Sequence, residues 1–315
     1  MSEMNQDLEI SRDLFEIQIA DDTESEHIAA PQYSYWHSVF RKFFSSKLAI
    51  FMMILSGTVI LLSIIQPMIS GYDPNVTPNI NRPEMKYIRP NSTYWFGTDD
   101  VGNSLFDAVW KGTGTSLFVA FTATAITTLS GVVIGMWWGF SKRVDRVMIE
   151  VYNIVSNIPV TLIAMILAYA LGSGVWQIIF ALSVTSWVGT AYFIRVQVMI
   201  IRDREYNLAS RCLGTPTWKI ITHNILPYLI SVIMTSISRD VPSFISYEVF
   251  LSFIGVGLGQ QYASLGRMIQ QYSPYMTSTP YLFWIPVAIS AVISVSLYIV
   301  GQTLADASDP RTHMI

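Results

Sequence analysis

The sequence predicts an all-α integral membrane protein with six membrane-spanning helices, and two observations carry this. Of 315 residues, 51% are hydrophobic and only 13% charged, about half the charged share of a soluble domain. Asp, Glu, Lys and Arg are also absent from four long runs: Leu48 to Tyr72, Gly112 to Ser141, Val151 to Ile194, and Met268 to Ala305. A helix needs roughly 20 apolar residues to cross about 30 Å of hydrocarbon. The first, second and fourth runs therefore hold one span each. The third holds two, with Gly172-Ser173-Gly174 as the turn between them. These runs do not alternate polar and apolar residues, which argues against a closed β-barrel.

In chain order, residues 1–35 form an acidic tail, with nine acids and one arginine in the first 26. Such a composition favours a solvated segment over a packed one; a regulatory or partner-docking tail is the other reading. Residues 36–70 hold an interfacial helix, in which Trp36, Phe40, Phe43 and Phe44 are mixed with Arg41, Lys42 and Lys47, followed by the first span at 48–68. That span begins too late in the chain, and is too long, for a typical signal peptide. Residues 71–111 form a proline-rich external loop, in which Asp99 and Asp100 suit capping or ion pairing better than cation binding. Further spans are expected at 115–139, 151–171, 176–194, 226–255 and 283–304, within a core at 112–305, before a short tail at 306–315. Arg239, Asp240 and Glu248 interrupt the fifth span.

Basic residues gather before span 1, between spans 2 and 3, and between spans 4 and 5. Positive charge collects on the cytoplasmic side, so both termini and the segment at 202–224 are expected there. The single cysteine, Cys212, excludes an intrachain disulfide. The four histidines have no metal or catalytic spacing, and no phosphate-cradling glycine loop is present. A net charge of −3 without a basic cluster gives no support for a nucleic-acid partner.

The segment between spans 4 and 5 predicts a short helix from Glu205 to Leu213, with Asp203 as N-cap, Glu205 in the first turn and Gly214 just past the end. Leu208, Ala209, Cys212 and Leu213 make an apolar stripe, and Arg204 and Arg211 take the polar side. Thr215 and Pro216 then suit the cap and first position of a second helix. Two physical readings stand: a helix lying on lipid headgroups, or a docking helix for a cytoplasmic partner.

This segment resembles the EAA loop of ABC importer permeases. Leu208, Ala209 and Ser210 stand at the E-A-A positions, Gly214 is the glycine, and Asn224-Ile225-Leu226-Pro227 closes the pattern; the acid of the motif is replaced by Leu208. FGTDDVG at 96–102, LSFIGVGLG at 251–259, SLGRMI at 264–269 and LADASDPR at 304–311 are similar to stretches of the C-type subunit of dipeptide and oligopeptide importers. That group carries the inner-membrane domain of binding-protein-dependent transport. The resemblance implies a type I importer permease core and a cytoplasmic coupling helix. It implies no cofactor on this chain; ATP and Mg belong to two cytoplasmic ATPase subunits. It further implies a second homologous permease, an extracellular peptide-binding protein, peptide cargo, and the plasma membrane of a Gram-positive bacterium. Arg204, Glu205, Leu208, Ala209, Arg211, Cys212, Leu213, Gly214, Thr215 and Pro216 would form the ATPase contact. Arg239, Asp240 and Glu248 are candidates for the translocation path or the contact with the paired permease, with a structural interhelical pairing as the alternative for Arg239 and Asp240. Glu248 is expected to serve as a structural contact rather than a proton carrier. The rival readings are an ion-coupled secondary transporter, for which no inverted repeat is visible, a permease for nickel or another solute, and a non-transporting scaffold.

Overall fold

The computed structural model describes residues 35–308; the acidic tail and the Asp-Pro-Arg at 309–311 lie outside them. Helix α1 (Tyr35–Phe43) is followed by α2 (Lys47–Ser70), α3 (Leu105–Phe140), α4 (Lys142–Ser156), α5 (Val160–Leu171) and α6 (Val175–Arg202). Then come α7 (Glu205–Cys212), the continuous helical segment α8 (Thr217–Phe253), α9 (Leu265–Tyr272) and α10 (Pro280–Ala307). Serines start several of these helices: the side chains of Ser46, Ser104, Ser141 and Ser264 each accept from a backbone N–H three residues on.

Among the described residues, five helices are long and apolar enough to cross a membrane, and a sixth span exists if α4 and α5 count as one. The expected span at 151–171 is not one straight helix: it crosses a 79° bend between α4 and α5. The cause is local. Pro159 cannot donate a backbone hydrogen bond and drives Ile158 out of the helical region, and α4 carries five charged residues, Lys142, Arg143, Asp145, Arg146 and Glu150. The second span also starts ten residues before the expected position. Ser104 caps it at Leu105, so Asp107 and Lys111 ride on a helix of 36 residues, roughly 54 Å long at 1.5 Å per residue and well beyond the hydrocarbon thickness.

The core lies where α3, α6 and α8 meet, around Ala120, Ala123, Ile179, Leu182, Phe244 and Ile245. Helix α3 approaches α6 through Gly131, Gly135 and Gly139, spaced four apart. A Cβ on Gly135 would stand 2.5 Å from the Ala191 carbonyl oxygen, so backbone packs on backbone, as small residues permit between membrane helices. Helices α2 and α10 flank this core, and Ile54, Leu61, Ile65 and Met68 of α2 point outward.

At one end of the bundle the loop at 71–104 folds down onto α9 and the start of α10. Asp99 is buried and accepts from the backbone N–H of Val101 (3.0 Å) and Asn103 (2.7 Å) and from the Tyr272 hydroxyl (3.4 Å). This is turn-capping chemistry. Burial pushes the Asp99 carboxyl up to about 6. The turn at 172–174 is present, and the Ser173 carbonyl accepts from Gly259 N–H at 2.9 Å.

Candidate functional site

The basic end of the bundle is held by one charged node. The Asp145 carboxylate on α4 accepts from Trp138 Nε1 at 2.8 Å and from Arg195 Nε on α6. The Arg195 guanidinium also lies over the Trp138 and Tyr192 rings, and Tyr152 stacks on Tyr192 at 4.0 Å. Arg202 donates to the Gly139 carbonyl at 2.9 Å and pairs with Asp203 at 2.8 Å, which holds the Asp203 carboxyl below its ordinary range.

Helix α7 hangs from this node. Asp203 is engaged by Arg202 and does not cap it; Arg204 occupies the N-cap position and offers no side-chain bond. The C-terminus follows the sequence expectation closely. Gly214 has φ +78°, its N–H bonds the Arg211 carbonyl at 3.0 Å, and Thr215 N–H bonds the Ser210 carbonyl at 3.0 Å, the paired bonds of a Schellman ending. Thr215 does not cap the next helix. The N-cap is Pro216 with extended backbone, and helical structure begins at Thr217.

Of the expected apolar stripe, Leu208 is 44% and Leu213 86% exposed, and Ala209, Cys212, Glu205 and Pro216 are exposed as well. Arg211 is not free on the polar side: it lies over the Phe140 ring at 4.6 Å and donates to the Arg202 carbonyl at 3.4 Å. The residue that fastens the helix is one the sequence reading passed over. Asn207 is fully buried. Its Nδ2 donates to the Ile201 carbonyl at 2.9 Å, and its Oδ1 accepts from Asn224 at 3.1 Å; Asn224 also reaches the Ser210 hydroxyl at 3.3 Å. Asn224 opens the Asn-Ile-Leu-Pro close of the motif, and a second amide there is the sequence signal for this pairing.

Asn224 lies in a π-helical stretch, Ile220–Ile225, followed by a 3₁₀ turn, Leu226–Leu229, before α8 becomes regular at Ile230. Ile221 and Ile225 are buried, whereas Trp218 is 53% exposed. Pro242 does not break α8, which runs through it to Phe253 with Val241, Phe244 and Ile245 packed on either side.

Along α8 the residues Tyr228, Ser231, Thr235, Arg239, Ser243 and Tyr247 fall three or four apart, on one helical face, and all are exposed or half-buried. Two cavities follow this stripe between α6 and α8. One, of about 400 Å³, is lined by Gln197, Arg204, Tyr206, Tyr228, Ser231 and Thr235 among others. The other, of about 280 Å³, is lined by Thr127, Gly189, Thr190, Arg239, Asp240 and Ser243 among others. Phe193 of the first cavity lies 5.8 Å below the Arg239 guanidinium. The Arg239 side chain is 58% exposed and its Nε reaches Asp240 Oδ1 at 3.5 Å, so these neighbours do touch despite their different helical directions.

Glu248 is elsewhere. It is fully buried and accepts from the Ser116 hydroxyl at 2.7 Å and the Ser252 hydroxyl at 2.9 Å, and these two serines accept in turn from Leu265 and Leu258 N–H. It ties α3 and α8 to the start of α9, and its carboxylate is enclosed by the described residues.

A bundle of membrane-crossing helices with a polar stripe and a protruding basic-end helix defines a membrane transport component rather than a soluble enzyme. Two family models match the chain: "Binding-protein-dependent transport system inner membrane component" over residues 131–314, and "N-terminal TM domain of oligopeptide transport permease C" over 34–90. The chain is 52% identical over 304 residues to the oligopeptide transport system permease protein AmiD of Streptococcus pneumoniae, covering 96% of this chain and 99% of that one. It is 32% identical to OppC of Bacillus subtilis, another oligopeptide transport permease, over 96% and 98% of the two chains. A solved structure of the MetNI methionine ABC transporter superposes with a TM-score of 0.51 at 16% identity, over 64% of this chain and 96% of that one. The chain belongs to the inner-membrane components of binding-protein-dependent transport systems, within the oligopeptide permease C group.

Proposed function

We propose that this chain is half of the translocation path of an ATP-driven importer of short peptides. The observation that carries the reading is the polar stripe on α8. A guanidinium and a row of hydroxyls on one face of a spanning helix are costly against lipid and belong beside water or protein, and the same helix begins at the α7–Gly214 junction. In this reading a second, homologous permease closes the path opposite α8. Two cytoplasmic ATPase subunits bind ATP and Mg and receive α7 in a groove, and an extracellular binding protein delivers the peptide. This chain holds no cofactor. Both termini face the cytoplasm of a Gram-positive cell, and the division of the chain into tail, first span, external loop and 112–305 core stands as proposed above. Relatives named for oligopeptide and dipeptide transport support the cargo.

The apolar tip of α7, Leu208, Cys212 and Leu213, is the main source of attachment to the ATPase, because exposed ion pairs contribute only about 0–1 kcal/mol each. The test is uptake of labelled di-, tetra- and hexapeptides into proteoliposomes holding the whole complex, with binding protein outside and ATP inside. ATP-dependent peptide uptake is expected. Uptake that ignores ATP and follows an ion gradient, or ATP-dependent uptake of a metal complex with no peptide uptake, overturns the assignment.

A further inference from the structure

The 280 Å³ cavity beside Arg239 is lined by polar groups that are incompletely paired among the described residues. Asp240 Oδ2 is buried without a well-formed hydrogen bond among them, and Thr190 is the hydroxyl that interacts with this carboxylate. Thr127, on the opposite wall, is 1% exposed and its hydroxyl is likewise without a partner among the described residues. A buried carboxylate oxygen and a buried hydroxyl left unpaired are each costly, more so where no bulk water reaches them. Ser186, Thr190 and Ser243 line the same space, with the Ser186 and Ser243 hydroxyls donating to the carbonyls of Leu182 and Arg239. Its wall contains Gly189, where an added Cβ would meet nothing within 4 Å, so the space is open on the α6 side as well. The rim carries the exposed Arg239 guanidinium, only loosely engaged with the other Asp240 oxygen at 3.5 Å.

The geometry points to an amine subsite in the translocation path, which takes the α-ammonium group at the amino terminus of a passing peptide. The ammonium sits on Asp240 Oδ2 and the Thr127 and Thr190 hydroxyls; the first peptide carbonyl turns toward Arg239. A carboxylate and a guanidinium side by side match the dipole that every peptide amino terminus presents, whatever its side chains. The volume lies at the lower edge of the range for a small-molecule site, roughly 300–1,000 Å³, which suits one terminal residue and not an extended peptide. The subsite therefore reads the end that all cargo shares. This inference rests on the peptide-importer reading.

The experiment uses the whole transporter in nanodiscs, with Gly189→Cys as a reporter in the cavity and Ser186→Cys as a second one. Modification by a water-soluble thiol reagent is followed by the mass of the peptide containing the reporter, so that Cys212 does not interfere. Trialanine is expected to slow modification about tenfold at a concentration about ten times its Kd, and N-acetyl-trialanine at the same concentration is expected to leave it unchanged. Adding Asp240→Asn should abolish the protection while leaving the rate without peptide as it was. Equal protection by both peptides, protection by neither, or protection that survives Asp240→Asn overturns the subsite. ATP-driven uptake of trialanine by the unmodified complex is measured alongside: uptake without protection removes only the subsite, whereas absence of all peptide uptake removes the importer reading itself.

Discussion

Gly214 concentrates the cost of joining α7 to α8 in one backbone angle. At φ +78° an L-residue is strained by roughly 1–2 kcal/mol, more if β-branched, and the Schellman bonds at Gly214 and Thr215 depend on that angle. Gly214→Val is therefore expected to leave the chain in the membrane, where nothing within 4 Å blocks its Cβ, but to misdirect α7. Uptake by the complex should fall severalfold more than its ATP hydrolysis; equal loss of both, or no loss, contradicts the coupling role. Asp99 makes a different demand. Its folded pKa, pushed up to about 6 by burial, lies above the ordinary carboxyl value near 4. The folded loop thus binds the proton more tightly than the unfolded chain does. The stabilisation is complete below about pH 4 and lost as pH rises through about 6, amounting to roughly 3 kcal/mol across that window. Amide protection factors across 97–103, corrected for the intrinsic pH dependence of exchange, should be higher at pH 5 than at pH 7.5. Asp99→Asn, which still accepts from Val101 and Asn103, should flatten the difference.

Among elements, the α3–α6 contact is the least forgiving. Gly135→Leu would force a side chain into the Ala191 carbonyl and Ile194, an overpacking of about 1–3 kcal/mol or more; reduced membrane abundance and a lower melting temperature of the assembled complex are expected. Asn207→Leu should act on one small element alone. It strands Asn224 and the Ile201 carbonyl at a cost of about 1–3 kcal/mol, and limited trypsinolysis at Arg204 and Arg211 should accelerate while the bundle stays intact. The long apolar helices were legible in the sequence because an absence of charge over 25 or more residues has one physical solution in lipid. The glycines at 131, 135 and 139 carried the α3–α6 seam in plain view as a four-residue repeat. The ends of elements were less legible. The early start of α3 was masked by Asp107 and Lys111, which hydropathy counts against a span although they stand clear of it. The bend at Pro159 was masked by an apolar run that continues across it. At the basic end, Asp203 reads as an N-cap from its own properties. Its actual role was decided by Arg202, whose direction depends on where Gly139 ends up, and that is tertiary information. Glu248 likewise looked like a charge crossing the membrane because the two serines that hold it are 132 and 4 residues away in the chain.

The whole molecule is incomplete as it stands. A chain whose α8 presents Arg239 to its surroundings is poorly matched to lipid, by about 2.5–3.5 kcal/mol for a central arginine. Arg239→Leu should therefore raise the abundance of this chain expressed alone and lower peptide uptake by the full complex; a rise in both would place Arg239 outside the path. The π-helical stretch at Ile220–Ile225 also sets a relation between distant parts. A π turn holds an additional residue compared with an α turn, and each residue of an α-helix accounts for about 100° of rotation and 1.5 Å of rise. Rewound as α, the same residues would shift the angular phase between α7 and the stripe by about 100° and carry Asn224 away from Asn207. Deleting Thr222 imposes that winding, and should leave α8 folded while freeing α7 to proteolysis. Gearing between the basic end and the membrane interior is thus set by the count of residues in one turn, and a single slipped hydrogen-bond register there would turn a push along the axis into a rotation of the polar face.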